Sequence, residues 1–249
     1  MEILRYAAFT TDPAGGNPAG VVLDDAEVQR VAAEVGYSET AFLVPSAGEL
    51  RVRCFSPLAE VPFCGHATIA TAVAHAERHG PDELRLVTAA GSVAVTTERD
   101  EDGVLVATLV SVPTRTEALA DDLRAALLAA LRWSAGDLDP ALPPRVACAG
   151  ARHLVVAAGS RSRLADLDYD FPALSELMDR AGWKAAFLVC LVWRESPAVF
   201  HARNPFPPGG VVEDPATGAA AAAFGGYLQE LGAGGASPST RATTWAGPA

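Results

Sequence analysis

A chain of 249 residues, half of them hydrophobic and 20% charged, has the composition of a folded globular protein and is long enough for two domains of ordinary size. Its net charge of −11 weighs against nucleic acid or an anionic membrane as partner, and its apolar runs are too short and too interrupted to span a bilayer. The first residues, MEILRYAAFTTD, carry charge from the start and show no signal-peptide core, so a cytoplasmic location is expected.

In chain order, strand 3–9 is followed by a glycine-rich turn (AGGNPAG), strand 20–23 and a helix from Asp24 to Val35. Asp24 suits an N-cap there, and Val28, Val31, Ala32 and Val35 form an apolar face. Strands are expected at 40–44 and 50–55, then a helix from Gly65 to Arg78 closed by Gly80, then strands near 83–88, 92–98 and 104–110. The alternation in SVAVTTE suits an antiparallel sheet covered on one face. The pattern breaks around Pro113-Thr114-Arg115, which predicts half-domains 1–112 and 113–249. The second half opens with helix 117–132 and continues with strands near 145–149 and 153–158 and a helix at 172–181. Strands 185–193 and 198–203, a Pro/Gly loop (NPFPPGG) and a helix from Thr217 to Leu231 complete it.

Each half carries one copy of the pattern E-x-P-x-x-G. The first is Glu60-Val61-Pro62-Phe63-Cys64-Gly65 and the second Glu213-Asp214-Pro215-Ala216-Thr217-Gly218. Both lead into alanine-rich helices, and both follow an arginine and a proline-containing turn, Arg53 to Pro57 and Arg203 to Pro207. Proline before a glycine-started helix fixes the entry angle, and glycine lets a ligand approach first-turn amides that have no intrahelical partner. Such a terminus attracts carboxylate or phosphate, so two of them flanking a cleft would grip a small anion in an otherwise acidic protein.

Among side chains, Glu39 in YSETAFLVP stands at the mouth of a strand, where a partly buried carboxylate could move a proton. His66 follows Gly65 and could donate a hydrogen bond or shuttle a proton, and Asp214 occupies the corresponding entry to the second helix. His75, His79, His153 and His201 lack such context and read as structural or exposed. The four cysteines have no C-x-x-C spacing, so neither a zinc site nor a disulfide framework is expected. Cys54, Cys148 and Cys190 sit in apolar runs and read as core, and Cys64 as packing beside the site.

The segments GGNPAGVV (15–22), SETAFLV (38–44), RCFSPLAEVPFCGHATIATA (53–72) and EDPATGAAAAAFGGYL (213–228), in that order, resemble the signature blocks of the PhzF-like phenazine-biosynthesis isomerase family. The resemblance covers about residues 1–235. It implies an α+β fold of the diaminopimelate-epimerase type, with two pseudo-symmetric halves, each a mostly antiparallel sheet wrapped around a central helix, and a site between them. It also implies a homodimer with no metal or organic cofactor. Glu39 would be the acid/base that moves a proton within a trans-2,3-dihydro-3-hydroxyanthranilate-like cyclic carboxylic acid, assisted by His66 and Asp214. The resemblance places Asn17 near the substrate, and Gly65, His66 and Gly218, with Thr217 and Ala219 beside it, around the substrate carboxylate.

Two features depart from that family. Ala219 stands where relatives have serine in D-P-A-T-G-S-A, which removes a hydroxyl worth about 1 kcal/mol as a hydrogen-bond partner and brings the particular substrate into question. The segment 233–249 lacks the family's I-x-Q-G-x-x-M-G-R-P-S pattern and any strand character. With a permitted choice of codons, 238–248 read from the third base gives IHQGDDMGRP, so an out-of-frame ending is expected here. An amino-acid racemase of the same fold is a competing reading, but it needs a thiol on each face of the substrate, and Cys64 is matched by Thr217. A binding homologue with impaired catalysis is the other.

Overall fold

The computed structural model describes residues 2–10, 12, 14–24, 27–46, 49–183, 187–233 and 243–244. The chain divides into two compact units, Met1–Val110 and Ser111–Ala249.

The first unit contains β1 (Leu4–Ala8), β2 (Asn17–Val22), α1 (Val28–Val35), β3 (Glu39–Ser46), β4 (Glu49–Phe55), β5 (Glu60–Val61), α2 (Gly65–His79), β6 (Glu83–Thr88), β7 (Gly91–Arg99) and β8 (Leu105–Leu109). Its strands form one sheet in the order β1-β2-β3-β4-β6-β7-β8, with β5 paired to β4. The β2–β3 and β4–β6 pairs are parallel and the others antiparallel.

Strand alternation sorts this sheet's residues between two helices. Ala19, Val21, Ala41, Leu43, Val52 and Cys54 face α2 and pack with its Ala67, Ala70 and Ala74. Val22, Phe42 and Phe55 face the other way, onto Val31 and Ala32 of α1. Apart from His66, alanine and threonine occupy the buried positions of α2, which touches β1, β2, β3, β7 and β8. Side chains this small let backbones approach closely, so a single helix can be wrapped by a curving sheet.

The second unit contains β9 (Arg115–Ala118), α3 (Asp121–Leu131), β10 (Arg145–Ala149), β11 (Ala151–Ala158), α4 (Arg161–Ala165), α5 (Phe171–Arg180), β12 (Phe187–Ser196), β13 (Val199–Phe206), β14 (Val211–Asp214), α6 (Gly218–Glu230) and β15 (Thr243–Thr244). The sheet order is β14-β13-β12-β11-β10-β9, with β15 lying parallel on β13. Ala147, Val155, Ala157, Cys190 and Val192 face α6, whose Ala220, Ala223, Phe224 and Tyr227 fill that side. On the opposite face Leu154, Val156, Val189 and Leu191 pack with Leu127 and Leu131 of α3 and Leu174 and Met178 of α5. In each unit the small-residue helix that follows the E-x-P-x-x-G pattern is therefore the central one.

Several elements differ from the sequence expectation. The helix expected from 117 begins at Asp121, because Arg115–Ala118 pairs with β10. The first helix begins at Val28 with Glu27 as its cap at φ 45°, so Asp24 does not cap it. The strands β5 and β14 and the helix α4 were not anticipated. Thr243–Thr244 forms a short strand where no strand character was expected, and the rest of the segment 234–249 lies outside the described residues.

Candidate active site

In the first unit, chain pairing gathers the singled-out residues at one end of α2. Glu39 opens β3 in register with Ala19 of β2, on the face that Ala41 and Leu43 turn to α2. Asn17, fully buried, lies two residues before Ala19 and so shares that face one strand over. His66, the second residue of α2, is 6% exposed, and its Nε2 stands 3.5 Å from Glu39 Oε2.

Cys64 is the N-cap of α2, and its carbonyl accepts bonds from the amide of Thr68 (3.0 Å) and the hydroxyl of Thr68 (2.7 Å). Its thiol makes no capping bond; Sγ instead lies 3.2 Å from His66 Nδ1. With the thiol donating to Nδ1, the imidazole carries its proton on Nε2, facing the Glu39 carboxylate. Gly65 contributes by having no side chain. A Cβ there would meet only Phe63 Cε1, at 4.0 Å among the described residues, so packing does not require glycine. The first-turn amides of a helix have no intrahelical partner.

In the second unit Thr217 caps α6 without a side-chain bond to the first turn. Its hydroxyl donates to the Asp214 carboxylate, and the Asn204 amide approaches the Asp214 carbonyl at 3.5 Å. Thr217, Gly218 and Ala219 are each half-buried at the start of α6. Ala219 is thus accessible and carries only a methyl group.

The arginines before the two patterns have a role that sequence reasoning noted but did not assign. Arg53 Nε and Nη2 donate to the two oxygens of Glu60, both at 2.9 Å. Arg203 Nε and Nη2 donate to Glu213 at 2.9 and 2.6 Å. The register repeats as well, Phe55 opposite Glu60 and Pro205 opposite Glu213. Each glutamate of the pattern is a bidentate anchor that ties the approach to a helix start onto the neighbouring strand. The Arg53 hydrogen bonds hold the Glu60 carboxyl below its ordinary range.

Of the remaining titratable groups, Cys54 borders the first cluster, taking a hydrogen bond from the Cys64 backbone. Cys54, Cys148 and Cys190 are buried free thiols, with burial pushing Cys54 and Cys190 up to about 12. His75 stacks against His79, and His201 pairs with Glu195 at 2.5 Å. His153 is fully buried on β11, its pKa lowered to about 4 by desolvation, and neither ring nitrogen has a hydrogen-bond partner among the described residues. No helix among the described residues is long and apolar enough to cross a membrane.

Residues 6–245 match the family described as phenazine biosynthesis-like protein (PhzC-PhzF), nearly the whole chain. The chain belongs to the PhzC-PhzF family. Among relatives, the trans-2,3-dihydro-3-hydroxyanthranilate isomerase of Pseudomonas fluorescens is 34% identical over 241 residues, which cover 90% of this chain and 78% of that protein. The uncharacterized isomerase YddE of Escherichia coli is 33% identical over 235 residues, 91% and 78% of the two chains. A solved structure described as a predicted epimerase from Pseudomonas aeruginosa aligns with a TM-score of 0.78 at 28% identity, over 94% of this chain and 83% of that one. The fold is accordingly the α+β, diaminopimelate-epimerase-like fold, and the PhzC-PhzF family places this chain among isomerases.

Proposed function

We propose that the chain is an isomerase that moves a proton between carbons of a small cyclic carboxylic acid of the dihydro-hydroxyanthranilate type, with Glu39 as acid/base. The observation that carries this reading is the placement of the Glu39 carboxylate 3.5 Å from His66 Nε2, beside a helix start whose glycine has room for a side chain it does not have. The hydroxyanthranilate isomerase among the relatives supports the substrate class.

In the proposed reaction the Glu39 carboxylate takes a proton from an sp³ ring carbon, and the electron pair shifts through the adjacent double bond. Glu39 then returns the proton to the far carbon of that system, so substrate and product have the same composition. The Nε2–H of His66 stabilises the carboxylate before transfer and orients it, while the thiol of Cys64 fixes the imidazole tautomer. Positioned acid/base groups of this kind contribute about 10²–10⁴-fold in rate. The open amides at Gly65 and His66 take the substrate carboxylate, and Asn17 lines the same face. Asp214, Thr217, Gly218 and Ala219 are proposed to bind further polar groups of the substrate. With methyl in place of hydroxyl at Ala219, the reading favours an acid with one polar contact fewer than relatives bearing serine would take. The reaction as written needs no organic cofactor, and a homodimer remains the proposed assembly.

A racemase reading is disfavoured by Thr217. Its hydroxyl is a poor proton donor at neutral pH and is already bonded to Asp214. The experiment is turnover of trans-2,3-dihydro-3-hydroxyanthranilate and related cyclohexadiene acids in D₂O by the parent chain and Glu39→Gln. One solvent-exchangeable proton transfer per turnover that disappears in the variant supports the reading. Equal inertness of both proteins across the panel would overturn it.

A further inference from the structure

The cluster at the start of α2 combines three chemically different donors. Cys64 Sγ, a His66 ring nitrogen and a Glu39 oxygen all lie within 4.8 Å of one another, the one such trio of Cys, His and acidic side chains among the described residues. Nε2 of His66 is 3.9 Å from Sγ and 3.5 Å from Glu39 Oε2. A tetrahedral zinc ion, with bonds of about 2.3 Å to sulfur and about 2.0–2.2 Å to nitrogen and oxygen, needs ligand–ligand edges of roughly 3.3–3.6 Å. The two His66 edges approach those values and the Cys64–Glu39 edge lies within 4.8 Å, so side-chain rotations that draw Sγ and the carboxylate together would close the trio on an ion.

We propose that Cys64, His66 and Glu39 form a binding site for a borderline-soft divalent cation, Zn²⁺ foremost, with three protein ligands and one open coordination position. The donor set selects the ion. Thiolate and imidazole favour zinc and its neighbours over Mg²⁺ and Ca²⁺, which take oxygen ligands. Backbone geometry supports the site, because Cys64 caps a helix whose first turn is held by the Thr68 bonds and Glu39 is fixed by strand pairing. Binding converts the Cys64 thiol to thiolate and releases one proton to solvent. Cation binding itself does not depend on the isomerase reading. Its consequence does: an ion held by Glu39 and His66 occupies the groups proposed to move and orient the proton, so the metal-bound form is inhibited.

Cobalt(II) is the probe, since a thiolate ligand gives a near-ultraviolet charge-transfer band and tetrahedral coordination gives visible bands, with no turnover required. Titration of the intact, reduced chain with Co²⁺ should develop both with a stoichiometry of about one, and Zn²⁺ should bleach them. Cys64→Ser should abolish the charge-transfer band. Glu39→Gln should retain it with affinity weakened more than about tenfold, removal of a direct ligand exceeding the smallest losses seen for outer groups. Absence of the band in the parent chain overturns the proposal, as does a band that survives Cys64→Ser. Should Cys64→Ser not fold, unchanged cobalt affinity in Glu39→Gln overturns it equally.

Discussion

Nε2 of His66 and Oε2 of Glu39 stand 3.5 Å apart although the residues are 27 positions apart in sequence, one opening a strand and the other a helix. Both are largely withdrawn from water, with side-chain exposures of 6% and 16%, where a charge–dipole interaction is stronger than at the surface. His66→Gln should therefore lower kcat about 10–100-fold with a smaller change in KM, because it removes orientation rather than the transferring group. Steady-state kinetics decide this; a pure KM effect would reassign His66 to substrate binding.

Gly65 separates a packing role from a ligand role. A Cβ there finds only ordinary contact, and alanine is a better helix former than glycine by about 1 kcal/mol in a helix interior, less at an end. Gly65→Ala should leave the unfolding midpoint unchanged or slightly raised while weakening binding of a small aromatic carboxylate. Full retention of carboxylate affinity would remove the first turn of α2 from the anion site.

Gly226 gives the opposite outcome on the other central helix. Its added Cβ would sit 2.1 Å from Thr114 Oγ1 and 2.3 Å from Thr114 Cβ. The overpacking cost of about 1–3 kcal/mol should outweigh the gain in helix propensity. Urea denaturation should show Gly226→Ala destabilised, and Thr114→Gly should recover part of the loss in the double variant. A stabilised single variant would mean the helix shifts freely at that contact.

The two arginine–glutamate anchors share geometry but not burial. Side-chain exposures are 16% and 32% for Arg203–Glu213 against 36% and 39% for Arg53–Glu60. Exposed pairs are generally worth less than about 1 kcal/mol, whereas removing one partner of a hydrogen-bonded charge in a drier site costs more. Arg203 also donates to the Ala165 carbonyl at 2.9 Å. Arg203→Met should destabilise by about 1–3 kcal/mol and Arg53→Met by less than about 1 kcal/mol, measured by denaturant unfolding.

His153 sets an acid limit on stability. Its folded-state pKa of about 4 lies below the ordinary 6.5 because burial penalises the charged ring. Below pH 6.5 the unfolded chain takes up a proton that the folded chain refuses, so its stabilising difference is intact above 6.5 and lost as pH falls towards 4. The loss is on the order of 3 kcal/mol. His153→Met should flatten the stability profile across that window, and an unchanged acid limb would contradict the assignment.

The helix starts were legible because proline and glycine mark them locally, and α2 and α6 begin at Gly65 and Gly218 as the pattern indicates. The short strands β5 and β14 were not, because their pairing is set by partners in β4 and β13 rather than by their own sequence. Glu117 and Ala118 read as the start of a helix by composition, yet the ladder of Arg115–Ala118 with β10 wins. For the site, residue types pointed to Glu39 and His66 singly. Their contact, and the approach of Cys64 Sγ to His66, depend on strand register and helix placement that no local pattern encodes.

The central claim is that Glu39 moves the proton, and the most direct measurement is turnover of trans-2,3-dihydro-3-hydroxyanthranilate by Glu39→Gln, paired with binding of an unreactive aromatic carboxylate. The account predicts a fall in kcat of about 10²–10⁴-fold or more with carboxylate affinity and fold retained. A variant that turns over within a few-fold of the parent chain would contradict it.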